Sequence, residues 1–162
     1  MIESTDPAEA LMAAWRSELP DVLNPSSELT KRIMLLAARL DEATRRVLPG
    51  LGLTLAEFDV LVSLRRAGRP FQLKPNHLAR SLLLSTGGTS NVVNHLVAQG
   101  MVEREADPQD ARSTWIRLTP DGVALAERAV RINSAAHAEV FAGVPDPAVE
   151  AATVALREVF AA

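Results

Sequence analysis

The stretch DPQDARSTWIRLTPDG, Asp107–Gly122, decides how the rest of the chain is interpreted. It begins with a turn signal, Asp107-Pro108, and apolar and polar residues then alternate from Thr114 to Leu118, as in a half-buried strand. Residues Met101 to Glu105 have the same strand-like character. The two segments therefore predict a short β-hairpin, and one arginine, Arg112, falls near its tip.

Helical signals lie on both sides of this hairpin. Thr54 and Glu57 form a capping box, in which the threonine side chain accepts from an exposed amide and the glutamate reaches back. Thr119-Pro120 and Asp146-Pro147 each place a capping side chain before a proline, which suits the first turn of a helix. The predicted helices cover residues 7–19, 29–47, 54–66, 75–82, 85–99, 120–141 and 147–161.

This order of elements defines the expected fold. Short helices followed by a hairpin are typical of a winged helix-turn-helix, so the predicted class is mainly α with a small β-hairpin wing and a further helical region. Residues 1–28 form an N-terminal extension helix and linker, and residues 29–162 form the main domain, with its winged part at about 54–118. Leu29 to Val47 carries apolar residues at alternating steps of four and three, which suits packing along another helix.

The composition excludes several classes of site. Apolar residues make up 48% of the chain, enough for a hydrophobic core. The absence of cysteine excludes disulfides, thiolate nucleophiles and cysteine-based zinc sites. His77, His95 and His137 lack metal-ligand spacing, and there is no GxSxG motif, so we expect neither a metal, nor a cofactor, nor an enzyme. Gly87-Gly88 lacks the spacing and the lysine of a nucleotide-binding phosphate loop.

The distribution of charge indicates a polyanion as partner. The net charge is −3, but residues 65–117 hold eight lysines and arginines against four acidic residues, or +4, which leaves −7 for the rest. A basic middle in an acidic chain is the pattern of a local nucleic-acid site. No segment approaches the roughly 20 consecutive apolar residues that span a membrane. Since the N-terminus is also unlike a signal peptide, we expect a cytoplasmic protein.

Double-stranded DNA is the partner that a winged fold implies. An arginine near the hairpin tip can enter the minor groove, and Asp110 can hold its guanidinium by a charge-assisted hydrogen bond. The alternative is an ordinary turn with a solvated arginine. The helix after residue 85 lacks an arginine that would read guanine, so A/T-rich half-sites are expected. The predicted DNA contacts are Lys74, Arg80, Ser85, Thr86, Thr89, Ser90, Asn91, Asn94, His95, Asp110 and Arg112, with Arg104 or Arg117 as further phosphate contacts.

The hairpin resembles the wing of MarR-family transcription regulators. Asp110 and Arg112 match the Asp-x-Arg of that family, and Leu118, Thr119 and Gly122 match its Leu-Thr-x-x-Gly. The stretch LSTGGTSNVVNHLVAQGMVERE resembles the recognition helix and first wing strand of the same family.

The resemblance implies a homodimer built from helices at about 29–48, 120–141 and 147–161. It also implies a repressor, and a pseudopalindromic operator whose half-sites lie roughly 10 base pairs apart. Apolar residues on these helices, Val123, Ala126, Val130, Leu156 and Phe160, fit the homodimer, although the same faces could pack within one monomer.

The N-terminal helix and AEFDVLVSLRRAG resemble the PecS/HucR branch, whose members respond to urate. The resemblance assigns Trp15, Asp59 and Arg104 to the pocket of a urate-like or aromatic acid effector. A planar anion needs an apolar wall and a cation, which Trp15 and Arg104 can supply. Asp59 would pair with Arg104 when the pocket is empty. Val92 replaces a second arginine of that branch, which weakens the expectation of urate itself.

Several alternatives to these assignments stay open. Trp15 could merely anchor the extension, and Asp59 with Arg104 could form a structural ion pair. More broadly, the chain could be a DNA-binding regulator without a small-molecule ligand. It could also be a helical interaction module or enzyme that reuses the winged fold.

Overall fold

The computed structural model describes residues 6–82, 86–108 and 110–161. Within these ranges the chain is mainly helical with one small antiparallel sheet, as the sequence predicts. The helices are α1 (Pro7–Glu18), α2 (Ser27–Val47), α3 (Leu55–Arg66), α4 (Pro75–Leu82), α5 (Thr86–Ala98), α6 (Pro120–Val140) and α7 (Asp146–Ala161), with 3₁₀ turns at Pro20–Val22 and Leu48–Leu51. The strands are β1 (Gln72–Leu73), β2 (Val102–Asp107) and β3 (Asp110–Leu118).

The chain divides into two compact units, residues 1–43 and 44–162. The predicted division between an extension of residues 1–28 and a main domain of residues 29–162 stays a prediction. One bent pair of helices, Ser27–Leu51 and Leu55–Arg66, has the length and composition of a membrane span, whereas no single helix in the described ranges does.

In the first unit, α1 is held by its cap and by ion pairs. The Asp6 carboxylate accepts a hydrogen bond from the Ala8 amide at 2.9 Å and pairs with Arg32 of α2, also at 2.9 Å. Ala8 and Met12 form the buried side of α1. Leu11, Trp15 and Leu19, which are spaced four positions apart, are exposed. A spacing of four positions defines a helix face but not what covers it.

In the second unit, α3 is the central core helix. Its capping box forms as predicted: the Thr54 amide donates to Glu57 at 2.8 Å, and the Glu57 amide donates to Thr54 Oγ1 at 3.3 Å. Val60, Leu61 and Leu64 of α3 are fully buried. Around them pack buried residues of α4, α5, α6 and both long strands, including Leu78, Val93, Leu96, Ile116, Leu118, Ala126 and Ala129.

The sheet differs from the prediction in two ways. Strand β1 is additional and pairs with β3 through Gln72–Arg117 and Leu73–Ile116. A strand of two residues has no alternation of its own, so the sequence pattern did not reveal it. The hairpin is also longer than predicted, since β2 extends to Asp107 and β3 begins at Asp110. Arg112 therefore lies in β3 rather than in the turn.

The junction between the wing and α6 explains the motif Leu-Thr-x-x-Gly. Thr119 Oγ1 accepts from the Gly122 amide at 3.0 Å and donates to the Gly100 carbonyl at 2.7 Å. A Cβ at residue 122 would lie 1.9 Å from the Met101 carbonyl oxygen, so only glycine fits. The start of α6 is thereby fixed against the start of β2.

The two C-terminal helices differ in burial. In α6, Ala126 is buried and Val123 packs against the core, so these two side chains stabilise the fold of the single chain. Helix α7 has no buried residue along its length. Its Val154, Val159 and Phe160 are exposed, and Phe160 is 88% exposed. A helix of 16 residues whose apolar face is uncovered gains little stability from packing against the described residues.

Candidate nucleic-acid interface

Helix α5 has one buried face and one exposed polar face. Val93 and Leu96 are completely buried in the core, whereas Ser90, Asn91, Asn94 and His95 are exposed. Hydroxyl and amide groups on an exposed helix face are the donors and acceptors that read base edges. The structure therefore leaves four of the predicted contact residues available to DNA.

Thr89 corrects the predicted set of contacts. Its side chain is only 3% exposed and lies on the same face as Val93 and Leu96, at steps of four and three. The sequence indicated an exposed position for Thr89, because its neighbours along the chain are polar, whereas the structure places it on the core-facing side of α5. Thr89 supports the core instead of touching DNA.

The side chains of three predicted DNA contacts lie outside the described part of the structure. Ser85 lies outside the described residues. Thr86 begins α5 and Arg112 belongs to β3, but the side chains of both also lie outside the described part. The predicted bond between Asp110 and Arg112 therefore stays a prediction, while the Asp110 side chain itself is exposed on the wing.

Lys74 is a second correction, because its ammonium is directed into the wing. Lys74 Nζ donates to the Asp107 carboxylate and to the Ser113 hydroxyl, and it lies 4.2 Å from the centroid of the Trp115 ring. The Lys74 and Asp107 side chains are 19% and 12% exposed. A charge with these partners is not free for a DNA phosphate, whereas Arg80 is exposed on α4.

The imidazole of His95 is tied to α3. His95 Nδ1 is hydrogen-bonded to Glu57 Oε1, while the other carboxylate oxygen accepts from Thr54. Burial acts to raise the pKa of Glu57, but the hydrogen bonds from Thr54 and His95 outweigh it and hold that pKa below its ordinary value. This link was missed, since the capping box revealed only one of the two roles of Glu57.

A side-chain hydrogen bond connects the first wing strand to α5. Arg104 Nη2 donates to Asn94 Oδ1 at 2.7 Å. The neighbouring Arg117 pairs within the wing, with Glu103 and Glu105, each at 2.9 Å. Arg104 thus keeps a guanidinium whose described side-chain partner is neutral, which favours the binding of an anion there.

The predicted ligand residues are not joined by the ion pair that the sequence suggested. Arg104 bonds to Asn94, and Asp59 has no hydrogen-bond or ion-pair partner for its carboxylate among the described residues. Burial raises the pKa of Asp59 above its ordinary value. Trp15, in the first unit, is 44% exposed and borders a shallow hollow with Met12 and Leu23. Val92 is half-buried and packs against the core of the second unit.

In the ranges that the structure describes, no three side chains of histidine, aspartate or glutamate come together as metal ligands. What remains is an exposed polar helix face beside a hairpin, which is an arrangement suited to recognising a duplex.

Comparison with known proteins agrees with this geometry. The model of the MarR family matches residues 51–113. The multiple antibiotic resistance protein MarR of Salmonella typhimurium is 31% identical over 108 residues, which cover 67% of this chain and 73% of that protein. The transcriptional regulator PecS of Dickeya dadantii is 28% identical over 120 residues, or 74% and 72% of the two chains.

A solved structure extends the similarity to a protein on its operator. The structure of a cysteine-to-serine variant of MarR from E. coli, complexed with operator DNA, has a TM-score of 0.67 and 25% identity. It covers 90% of this chain and 96% of that one. PecS is described as a transcriptional regulator of the helix-turn-helix type. The chain belongs to the MarR family of winged helix-turn-helix, DNA-binding transcription regulators.

Proposed function

We propose that the chain acts as a homodimeric repressor that binds a pseudopalindromic operator and is released by a small aromatic or purine-like anion. The observation that carries the proposal is the exposed polar face of α5, beside the hairpin formed by β2 and β3.

Asn91 and Ser90 are the described side chains best suited to contact bases. Both are exposed, and an asparagine can bond to adenine through two hydrogen bonds. No lysine or arginine occurs in α5, so the usual guanine contact is absent and A/T-rich half-sites are favoured. Arg80 on α4 and Arg112 on the wing would then hold phosphates and the minor groove.

Helix α7 supports the homodimer. Its exposed valines and Phe160 need a cover that the described part of this chain does not provide. A second copy would supply an identical face, and a two-fold axis matches a pseudopalindromic operator with half-sites roughly 10 base pairs apart.

Arg104 supports the proposed response to an anion. An anionic ligand that binds its guanidinium would compete with Asn94 Oδ1, and Asn94 belongs to α5. The ligand would thus alter a side chain of the DNA-reading face directly. This route does not require an arginine at position 92, where Val92 packs against the core. The half-buried Asp59 of α3 would be a further residue of this anion site.

Fluorescence anisotropy with duplex DNA from upstream of the gene tests the DNA-binding part. Tight binding to this duplex, weak binding to a scrambled duplex and a steep fall with salt are expected. The Arg112→Ala variant should bind more weakly. Equal, weak binding to both duplexes, repeated with a library of random sequences, would overturn sequence-specific recognition.

The ligand part is tested on the preformed complex with urate, xanthine and salicylate. At least one of them should release the DNA, and Arg104→Gln should reduce that release more than it reduces DNA binding. If none of the three releases DNA or quenches Trp15 fluorescence in a Trp115→Phe background, the chain is a regulator without a ligand of this kind.

A further inference from the structure

The imidazole of His95 is bonded through one nitrogen and open at the other. Its Nδ1 is hydrogen-bonded to Glu57 Oε1, and no described residue bonds to its Nε2. The side chain of His95 is 63% exposed, whereas that of Glu57 is only 4% exposed. The exposed edge of the ring is therefore the edge that carries Nε2. It lies on the polar face of α5, one turn after Asn91.

The surroundings of Glu57 determine which ring nitrogen carries the proton. Glu57 Oε2 accepts hydrogen bonds from the Thr54 amide and the Thr54 hydroxyl, both at 2.8 Å. Burial acts to raise the pKa of Glu57, but the hydrogen bonds from Thr54 and His95 outweigh it, so the carboxyl is ionised at neutral pH. An ionised carboxylate only accepts hydrogen bonds, so Nδ1 is the donor to Oε1. The neutral ring is therefore the Nδ1–H tautomer, and its Nε2 carries a lone pair.

The open nitrogen changes its role when the ring takes up a proton. A neutral Nε2 accepts a hydrogen bond, whereas the Nε2–H of the imidazolium donates one. Phosphate oxygens and the N7 and O6 atoms of guanine are acceptors, so they bond only to the protonated ring. The buried carboxylate of Glu57 stabilises the imidazolium from the other side. The charged ring is thus the form that links Glu57 to an acceptor on DNA.

The other charged groups around α5 leave this ring to Glu57. Helix α5 packs against α3, α4 and β2, and His95 is its one titratable residue. The acidic groups of β2 pair with Arg117 and Lys74. The other charged or titratable side chains on these three elements are Asp59, Arg65 and Arg66 of α3, His77 and Arg80 of α4, and Arg104 of β2. Arg104 bonds to Asn94, and none of the six bonds to the ring in the described structure.

We propose that Glu57 is a positioning residue for DNA binding, because it fixes Nδ1–H of His95 and leaves Nε2–H of the protonated ring to bond to a DNA acceptor. The affinity for DNA then rises as the pH falls from about 8 to about 6, the range in which imidazoles ordinarily titrate. This dependence on pH rests on the proposed reading of DNA by α5, and it adds a regulation that the amides and hydroxyls of that face do not supply.

Fluorescence anisotropy with the upstream duplex and its scrambled counterpart tests this dependence at constant ionic strength. The affinity of the wild type for the upstream duplex should fall by about tenfold between about pH 6 and about pH 8, since each bound ring must hold a proton. The scrambled duplex shows at each pH whether binding is specific.

Three variants separate the roles of the side chains. His95→Gln has no titratable group at this position and should lose the dependence on pH. Glu57→Gln should reduce the fall to about threefold or less, because an amide donates to Nδ1 and leaves Nε2–H as the donor at every pH. A capping box accepts glutamine at this position, so the variant keeps the start of α3. His77→Gln, which removes an exposed histidine of α4, should keep the full dependence.

NMR of the imidazole nitrogens gives a second measurement, on the full-length protein without DNA. At about pH 8 the neutral ring of His95 should be the Nδ1–H tautomer in the wild type and the Nε2–H tautomer in Glu57→Gln. A residue that only supported the fold would not change the tautomer of its neighbour.

The results distinguish failure of this inference from failure of the proposed function. Equal, specific affinity at both pH values would overturn the role of Glu57 and leave the reading of DNA by α5 intact. Absence of specific binding at either pH, even from a random library, would overturn both. If Glu57→Gln weakens binding equally at both pH values, Glu57 only supports the fold. A flat profile in His77→Gln would assign the proton to α4, and an Nε2–H tautomer in the wild type would show that Glu57 does not fix the ring.

Discussion

The ammonium of Lys74 lies over the indole ring of Trp115, 4.2 Å from the ring centroid. The same ammonium bonds to the Asp107 carboxylate at the end of β2 and to the Ser113 hydroxyl in β3. One side chain immediately before α4 therefore reaches both strands of the wing. Cation–π contacts and charge-assisted hydrogen bonds between largely buried side chains are stronger than the same contacts exposed to water.

Replacing Lys74 with methionine should loosen the wing and destabilise the fold. The carboxylate of Asp107 would lose its cation, at a cost of roughly 2–3 kcal/mol, below the value for a fully buried pair because both side chains keep some exposure. Urea unfolding measures the loss, and the fluorescence of Trp115 in a Trp15→Phe background reports the local change.

The conservative variant Lys74→Arg provides the control for this prediction. An arginine keeps both the charge and the stacking, so it should recover most of the stability and of the Trp115 signal. If Lys74→Met lowers only DNA affinity and leaves unfolding and fluorescence unchanged, Lys74 contacts DNA after all and the structural role is wrong.

Asn91 and Thr89 form a matched pair for testing which face of α5 reads DNA. Asn91→Ala should weaken specific binding by about 1–3 kcal/mol and relax base preference at one operator position. Thr89→Val should leave specificity unchanged and reduce stability by about 1 kcal/mol, since its side chain lies in the core. Anisotropy against single-base operator variants separates the two. A change of base preference in Thr89→Val would contradict the burial of that residue.

The carboxylate of Asp59 should cost stability at neutral pH. Burial raises its pKa in the folded state. The folded protein therefore holds this proton more tightly than the unfolded chain, and stability falls as pH rises through the raised pKa. Asp59→Asn should raise the melting temperature at pH 7, and the gain should vanish below the ordinary aspartate pKa of about 4. A gain of equal size at pH 3 and pH 7 would show that the charge is not its origin.

The exposed end of α7 should control association. Phe160→Glu places a charge in the apolar face, so the proposed homodimer should dissociate at protein concentrations where the wild type stays associated. Sedimentation velocity measures this, with Glu158→Gln on the same helix as the control. A wild-type chain that sediments as a monomer at every concentration would refute the homodimer directly.

Local signals made the helices and their ends predictable. The caps at Thr54 and Thr119 act within four residues of chain, and the structure reproduces both. These caps depend on residues close in sequence, so the pattern contains most of the information about them. Gly122 differs, because the contact that requires a glycine there is with Met101, which is distant in the sequence.

Side-chain partners across the fold were not predictable. Lys74 and Thr89 were placed among DNA contacts because a lysine and a threonine in a basic, polar segment usually face solvent. Their orientation depends on where Asp107 and the core lie, which is a property of the tertiary structure. The pairing of Arg104 with Asn94 in place of Asp59 has the same origin, since the partner of the Arg104 guanidinium depends on which of the two side chains the tertiary structure brings within reach.

The close contact between Gly122 and Met101 has a mechanical consequence. Helix α6 has 21 residues, so it extends roughly 30 Å from that contact at about 1.5 Å per residue. The Thr119 cap and the close approach of Gly122 to Met101 fix the first turn of α6 against the hairpin. We therefore expect α6 and the hairpin to move as one rigid body. If the proposed second copy or ligand tilts the far end of α6, we expect this junction to displace strands β2 and β3 of the wing.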